Sequence, residues 1–279
     1  MSKKSKDALI KTNDLTRIYG DGEVVALDKV TIEIDAGELV SIMGPSGSGK
    51  STLLNMLGAL DQPTSGNIIV DNQDLAKLKD VDAYRSQTVG FIFQMHNLLP
   101  TLNAAENVEV PMMGQNFTSS EREMRSAHLL DLVGLADRLK HLPSQLSGGQ
   151  RQRVAVARSL ANNPLLILAD EPTGNLDSES GSELIALLRD INQSEGATVV
   201  IVTHDPAVSR QTNRVIVMAD GAIIRQDIIG SPLEEDLKMW QHSGLGRRIL
   251  DGQSSDLKQL KLSKKQMETL QTLLENNTP

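Results

Sequence analysis

The sequence predicts an α/β fold built on a mainly parallel sheet, and three observations carry that expectation. Short aliphatic runs alternate with stretches of helical periodicity, the pattern of strands joined by crossover helices. The runs 165–169 and 198–202 are apolar without alternation, as strands buried on both faces are. The run 38–43 reads as a short buried strand that hands over through a glycine-rich loop to a helix over 52–57.

Composition sets the bounds. A chain of 279 residues suffices for one large domain or two modest ones, each with a sizeable core. Aromatic residues are only 2% of the total, so that core rests on Leu, Ile and Val. With no cysteine, a disulfide framework and a thiolate metal site are both excluded, and a reducing compartment fits. The net charge of −8 argues against broad nucleic-acid binding, which needs a basic surface to displace counterions. Lys3, Lys4 and Lys6 read as a solvated tail, because no apolar run follows them that could be the centre of a signal peptide. No run approaches the roughly 18 apolar residues that span a bilayer, so a membrane role has to come through a partner.

The loop Gly44, Pro45, Ser46, Gly47, Ser48, Gly49, Lys50, Ser51 satisfies G-x-x-x-x-G-K-[ST] between a strand and a helix. Glycines let successive N–H groups and a helix N-terminus converge on phosphate oxygens. Lys50 is placed to neutralise the β- and γ-phosphates and Ser51 to ligate Mg²⁺, so the loop is a nucleotide-phosphate cradle.

From about 91 to 162 the strand signal fades and helical signals take over, the mark of a helical insertion. Asn103 with Glu106 and Thr118 with Glu121 have capping-box spacing. Met124, Ala127, Leu130 and Val133 are expected to form the apolar stripe of one helix, closed by Gly134. Leu146, Ser147, Gly148, Gly149 and Gln150 precede a helix over about 150–160, giving a second anion-binding helix start in a chain that already has its phosphate loop. Two phosphate grips for one nucleotide suggest a site shared between chains.

Asp170 and Glu171 follow the strand at 165–169, and Thr203, His204 and Asp205 follow the strand at 198–202. Ligands in such sheets bind beyond the carboxyl ends of the strands, so both clusters are expected beside the phosphate loop. There Asp170 would hold Mg²⁺ through its water shell, and Glu171 would orient or deprotonate the attacking water. Taken alone, two acids ending a strand are equally a solvated strand-to-loop transition. Beyond 228, Leu233, Leu237 and Trp240 recur at helical spacing, and a capping box at Ser263 and Gln266 precedes Met267, Leu270 and Leu274. That segment reads as an appended helical extension.

With the Leu146 to Gln150 signature, the chain resembles the ATP-binding-cassette ATPases over about 15–225. The resemblance implies a RecA-like P-loop core with an antiparallel β region near the N-terminus and an inserted helical subdomain. It divides the chain into a core at 1–90 and 163–227, a helical subdomain at 91–162 and an extension at 228–279. Tyr19 matches the aromatic that stacks on adenine, although alone it would be read as a core or edge tyrosine. Thr52 joins the loop residues in binding nucleotide, and Ser147, Gly148, Gly149 and Gln150 cover the γ-phosphate held by a second copy. Gln94 matches the glutamine that contacts Mg²⁺ and the attacking water. Asp177 is the acidic member of the loop between subunits, and His204 matches the switch histidine; a lone histidine there would be read as structural.

The segments 93–102, 106–108 and 169–177 look like the subgroup serving lipoprotein release, macrolide and peptide export, and cell division. That likeness implies an ATP-sandwich dimer paired with an integral membrane permease that carries an extracytoplasmic domain and docks over 91–117. It places the chain peripherally on the cytoplasmic face of the inner membrane, without nucleic acid. A surface loop plus a capped helix is the plainer account of 91–117. Two other classes stand beside this one: a regulator of a cell-envelope hydrolase that moves no substrate, and a soluble cassette acting on ribosomes or DNA. The third class usually carries paired cassettes or a long coiled-coil insertion, and this chain has neither.

Overall fold

The structure is a computed structural model that describes residues 8–20 and 22–229; the helical extension expected over 228–279 falls almost wholly outside the described residues. The chain opens with two long strands, β1 (Ala8–Tyr19) and β2 (Val24–Asp35), followed by β3 (Leu39–Met43) and α1 (Lys50–Leu57). Then come β4 (Ser65–Val70), β5 (Gln73–Asp74), α2 (Val81–Thr88) and β6 (Val89–Phe93). The mostly helical stretch holds α3 (Ala104–Glu109), α4 (Ser119–Leu132) and α5 (Gly148–Ser159). The chain then returns to β7 (Leu166–Asp170), α6 (Ser178–Glu195), β8 (Thr198–Thr203), α7 (Pro206–Ser209), β9 (Arg214–Ala219) and β10 (Ala222–Ile228).

The predicted parallel sheet is present as a six-stranded sheet in the order β10-β9-β3-β8-β7-β6. From β9 through β6 every neighbouring pair is parallel. A separate four-stranded sheet, β2-β1-β4-β5, is antiparallel throughout and supplies the expected β region near the N-terminus.

Successive side chains along a strand face opposite ways, and the parallel strands sort accordingly into two cores. Leu39, Ile167, Ala169, Val199 and Ile201 point to one side, where Val108 of α3, Leu129 and Leu130 of α4, Val154 of α5 and Leu188 of α6 cover them. Val40, Ile42, Leu166, Leu168, Val200 and Val202 point to the other, against Leu53, Leu54 and Leu57 of α1 and Ile10, Leu15, Ile32 and Ile68 of the antiparallel sheet. Burial on both faces explains why these strands read as unbroken apolar runs.

The apolar stripe predicted for α4 is displaced. Leu129, Leu130 and Val133 are buried, whereas Met124 is 64% exposed. A step of three residues drifts by about 60° round an α-helix, so residues nine apart lie on opposite sides. Ser126 takes the inward position instead, fully buried and donating to Glu109 Oε1 at 3.3 Å and to the Glu123 carbonyl at 3.1 Å. Its small hydroxyl lets α4 lie against α3, a choice invisible to a count of apolar residues. Both capping boxes expected from the sequence here form, at Asn103–Glu106 and Thr118–Glu121.

Gly90 shows how closely β6 and α5 approach. A Cβ there would overlap the carbonyl oxygen of Ser159 at the end of α5. Gly90→Ala is therefore expected to lower stability by about 1–3 kcal/mol, the usual cost of forcing backbone apart in a packed core. A urea midpoint equal to that of the parent chain would contradict this packing.

Candidate functional site

The parallel register sets the carboxyl ends of the central strands side by side. Met43 is paired with Thr203, Asp170 with Val202, and Phe93 with Asp170. The residues that leave these ends are Gly44, His204, Glu171 and Gln94.

From Gly44 to Gly49 the chain forms the loop expected from its glycines. Gly47 and Gly49 take φ of +80° and +94°, and a Cβ on Gly44 or Gly49 would overlap the carbonyl oxygens of Met218 and Ala26, respectively. Those close approaches wedge the loop between β9 and β2. The helix starts two residues earlier than its apolar pattern predicts, because Gly49 in the left-handed region acts as its N-cap. Lys50 and Ser51 consequently belong to the first turn, where unpaired N–H groups favour an anion.

Lys50 is buried, and its ammonium donates to the carbonyls of Gly44 at 2.9 Å and Pro45 at 2.8 Å. Burial lowers its pKa, and the nearby Glu171 and Asp170 carboxylates partly offset this. Ser51 Oγ donates to Asp170 Oδ1 at 3.1 Å. Desolvation raises the Asp170 pKa, with the Ser51 hydrogen bond pulling the other way and Glu171 adding repulsion. Both charges are thus under-solvated, and the Ser51 hydrogen bond ties Asp170 to the loop that carries Lys50, an arrangement that a polyphosphate with a cation would complement. Glu171 sits at φ +44°, a left-handed conformation uncommon for a non-glycine residue. It is held there by its own N–H donating to the Val202 carbonyl at 2.9 Å and by Gly174 N–H donating to its carbonyl at 3.0 Å. Its carboxylate Oε1 lies 3.0 Å from His204 Nδ1.

Val24, Val25, Ala26, the loop residues Ser46 to Thr52, Glu171 and His204 line a cleft of about 270 Å³. The hydroxyl and carboxylate of Ser51 and Asp170 suit Mg²⁺, an oxygen-seeking ion usually held by one or two protein groups together with phosphates and water. Among the described residues no group of three or more His, Cys, Asp or Glu could hold a metal unaided.

The remaining predicted residues form a second group. Ser147 caps α5 in a capping box with Gln150, whose N–H donates to Ser147 Oγ at 3.2 Å. Gly148 and Gly149, in the first turn, face Leu176, the Asn175 carbonyl and Ser180. Asp177 is the N-cap of α6, accepting from Ser180 N–H at 2.9 Å and Ser180 Oγ at 2.8 Å. Gln94 packs against Gly174, where a Cβ would lie 2.7 Å from its Nε2, and its carbonyl accepts from Asn175 Nδ2 at 3.0 Å. None of these lines the cleft at Lys50. Tyr19 lies outside the cleft as well, but its cross-strand partner Val24 and the adjacent Val25 line it.

Two supports for the site escape a motif reading. Arg158, on α5, donates to the carbonyls of His96 at 2.7 Å and Asn97 at 2.6 Å, both residues with positive φ. Asn107 is fully buried and donates to the carbonyls of Leu99, Leu102 and Asn103 while accepting from Leu99 N–H. Together they shape the loop that follows Gln94. For Arg158 the only signal in the sequence is a polar residue on a helix; Asn107 falls in the segment 106–108 that resembles the subgroup, but nothing there shows its role in holding the loop.

The family described as ABC transporter matches residues 27–174. The macrolide export ATP-binding/permease protein MacB of Hyphomonas neptunium is 50% identical over 220 residues, covering 77% of this chain but 34% of its own length. The chain therefore spans about a third of that relative. MJ0796 of Methanocaldococcus jannaschii, an uncharacterised ABC transporter ATP-binding protein, is 47% identical over 227 residues, 78% of this chain and 97% of its own length. A dimeric, post-hydrolysis structure of MJ0796 bound to ADP and Pi superposes with a TM-score of 0.73 at 45% identity, covering 80% of this chain and 99% of that one. The structure of cbiO1 from Clostridium perfringens, part of the ABC transporter complex cbiONQ, gives 0.76 at 28% identity, covering 84% and 95%.

The Asp177 cap has a pH signature. The Ser180 N–H and hydroxyl hold its carboxyl below the usual carboxylate range. A lowered pKa adds stability that is present above the unfolded-state value and lost as pH falls through the folded-state value. Asp177→Ala is expected to lower the melting temperature at pH 7, with the gap to the parent closing on acidification; a gap independent of pH would contradict an ionised cap.

Proposed function

The chain belongs to the ABC transporter family, and from that premise we propose that two copies close on two ATP molecules and hydrolyse them to drive a membrane partner. One observation carries the dimeric reading: the phosphate-binding groups of a single chain are divided. Lys50, Ser51, Glu171 and His204 share the cleft, while the helix N-terminus at Ser147 to Gly149 opens outside it, beside the loop that leads to Asp177. A second copy brings its Ser147, Gly148, Gly149 and Gln150 over the nucleotide held by the first copy's Gly44 to Thr52. The dimeric form of MJ0796 supports this arrangement.

In that closed pair the Lys50 ammonium exchanges the carbonyls of Gly44 and Pro45 for phosphate oxygens. Ser51 and Asp170, with Gln94, would hold Mg²⁺, which would supply positive charge to neutralise the phosphates. Glu171 accepts a proton from the water that attacks the γ-phosphorus as the bond to ADP breaks, and His204 holds its carboxylate in line. Tyr19, with Val24 and Val25, receives the adenine. ATP touches both copies only when they are closed, so its differential affinity for that state supplies the work of closure, and hydrolysis releases it.

We assign the core to 1–90 and 163–227 and the helical subdomain to 91–162. A membrane permease with an extracytoplasmic domain docks over 91–117. There Phe91, Phe93, Asn97, Pro111 and Arg158 line a cleft of about 320 Å³, and Met95, Leu99 and Met113 are exposed nearby. No helix among the described residues is long and apolar enough to cross a membrane, so attachment to the inner face is through that partner. The 50% identity to a macrolide export protein supports export as the task.

Glu171→Gln is expected to keep ATP binding, accumulate as a dimer with ATP and Mg²⁺ in light scattering, and lose roughly 10²–10⁴-fold in turnover. Near-parental turnover would refute the assignment of Glu171. Captured from detergent-solubilised native membranes, the same trapped variant should carry a multi-helix membrane protein; recovery of soluble partners alone would refute the transporter reading. Adding Gly149→Asp, which sets a carboxylate against the γ-phosphate, is expected to return the trapped variant to a monomer.

A further inference from the structure

We propose that Asp61 and Arg17 are positioning residues that lock the Tyr19 ring as a one-sided platform for the purine base. The inference rests on Tyr19 being the residue that receives adenine.

Tyr19 is the last residue of β1 and is 37% exposed. It is followed by Gly20 and, two residues later, Gly22, both at positive φ. A tyrosine at the end of a strand beside such a turn has few neighbours along its own strand to hold its ring, and ordering it on ligand arrival would cost affinity. Three contacts remove that freedom. The Tyr19 hydroxyl donates to Asp61 Oδ2 at 2.6 Å. Arg17 Nη2 lies 2.8 Å from the other carboxylate oxygen, Oδ1, which also accepts from Gln62 N–H at 2.7 Å. The Arg17 guanidinium carbon stands 4.5 Å from the Tyr19 ring centroid, a cation–π distance.

One carboxylate therefore ties down both the hydroxyl and the cation that covers the ring. Arg17 Nε is buried with no acceptor among the described residues, so the guanidinium is placed by Asp61 and by the ring itself. The side chains of Arg17 and Asp61 are 24% and 23% exposed, which sets the pair apart from a fully solvated ion pair.

Asp61 is itself anchored. It lies just beyond α1, the helix whose first turn carries Lys50 and Ser51. Three residues further on, Thr64 Oγ1 accepts from Ile18 N–H at 3.0 Å and Thr64 N–H donates to the Thr16 carbonyl at 2.8 Å, stitching the segment onto β1. The segment after α1 thus grips the ring while the start of α1 faces the phosphates. Tyr19 pairs across the strands with Val24 and Ile18 with Val25, and these two valines, 56% and 48% exposed, line the phosphate cleft. With one ring face taken by Arg17, a flat base can stack only on the opposite face.

Titration calorimetry of the full chain with Mg·ATP and with Mg·tripolyphosphate, which lacks the base, tests this. Asp61→Ala and Tyr19→Phe are each expected to weaken ATP by about three- to tenfold, as loss of one such hydrogen bond would. Tripolyphosphate affinity should stay within about twofold, and the double variant should be no worse than the weaker single one, because both remove the same link. Equal losses for both ligands would mean that Asp61 only supports the fold, and undiminished ATP affinity or simply additive effects would overturn the proposal. Tyr19→Phe keeps the test decisive should Asp61→Ala fold poorly. Tyr19→Ala separates the two levels. If it leaves ATP affinity intact, the stacking role of Tyr19 falls and the lock with it; if it weakens ATP while Asp61→Ala does not, the lock alone falls.

Discussion

The parallel register of β3, β8, β7 and β6 is the constraint on which the rest of this structure depends. Because Met43, Thr203, Asp170 and Phe93 end at one level, the residues that follow them leave the sheet together. A shift of one residue in any of these strands would turn its apolar side chains to the opposite core. The pattern of burial that holds the sheet between α3 to α6 on one side and α1 with the antiparallel sheet on the other therefore also sets the position of each functional side chain. Stability and site geometry here share one cause.

Within that frame, the cleft is assembled under electrostatic tension. Lys50 is desolvated and satisfied by the carbonyls of its own loop, and Asp170 is desolvated beside Glu171 with Ser51 as its hydrogen-bond donor. These partners are local substitutes for stronger ones, since a polyphosphate and a divalent cation would satisfy both charges at once. The left-handed Glu171, pinned by Val202 and Gly174, adds a conformational cost at the same place. Strain and desolvation gathered at one strand end mark a site built for a ligand.

Several residues that shape the site act at one remove. Arg158 and Asn107 hold the loop after Gln94, and Asp61 with Arg17 holds Tyr19. Arg158 and Asp61 reach partners from a distant part of the chain, whereas Asn107 gathers carbonyls from the turn just before its own helix. No spacing rule exposes such partners, because their meaning lies in what folding places opposite them. The misplaced stripe on α4 has the same origin: Met124 fits an apolar count, but the helix turns Ser126 inward, where a hydroxyl can reach Glu109.

By itself the sequence determined the parallel sheet, the phosphate loop, both capping boxes expected in the helical stretch and the acids after 165–169, since all of these rest on local periodicity, backbone conformation or short motifs. The start of α1 was legible only to within two residues, because the cap belongs to a glycine outside the apolar pattern. Tertiary structure alone decided that Gln94 stands apart from the cleft at Lys50 within one chain, and that Asp61 reaches Tyr19. Those relations depend on pairings between residues far apart along the chain, and a separation in space leaves no trace in local pattern.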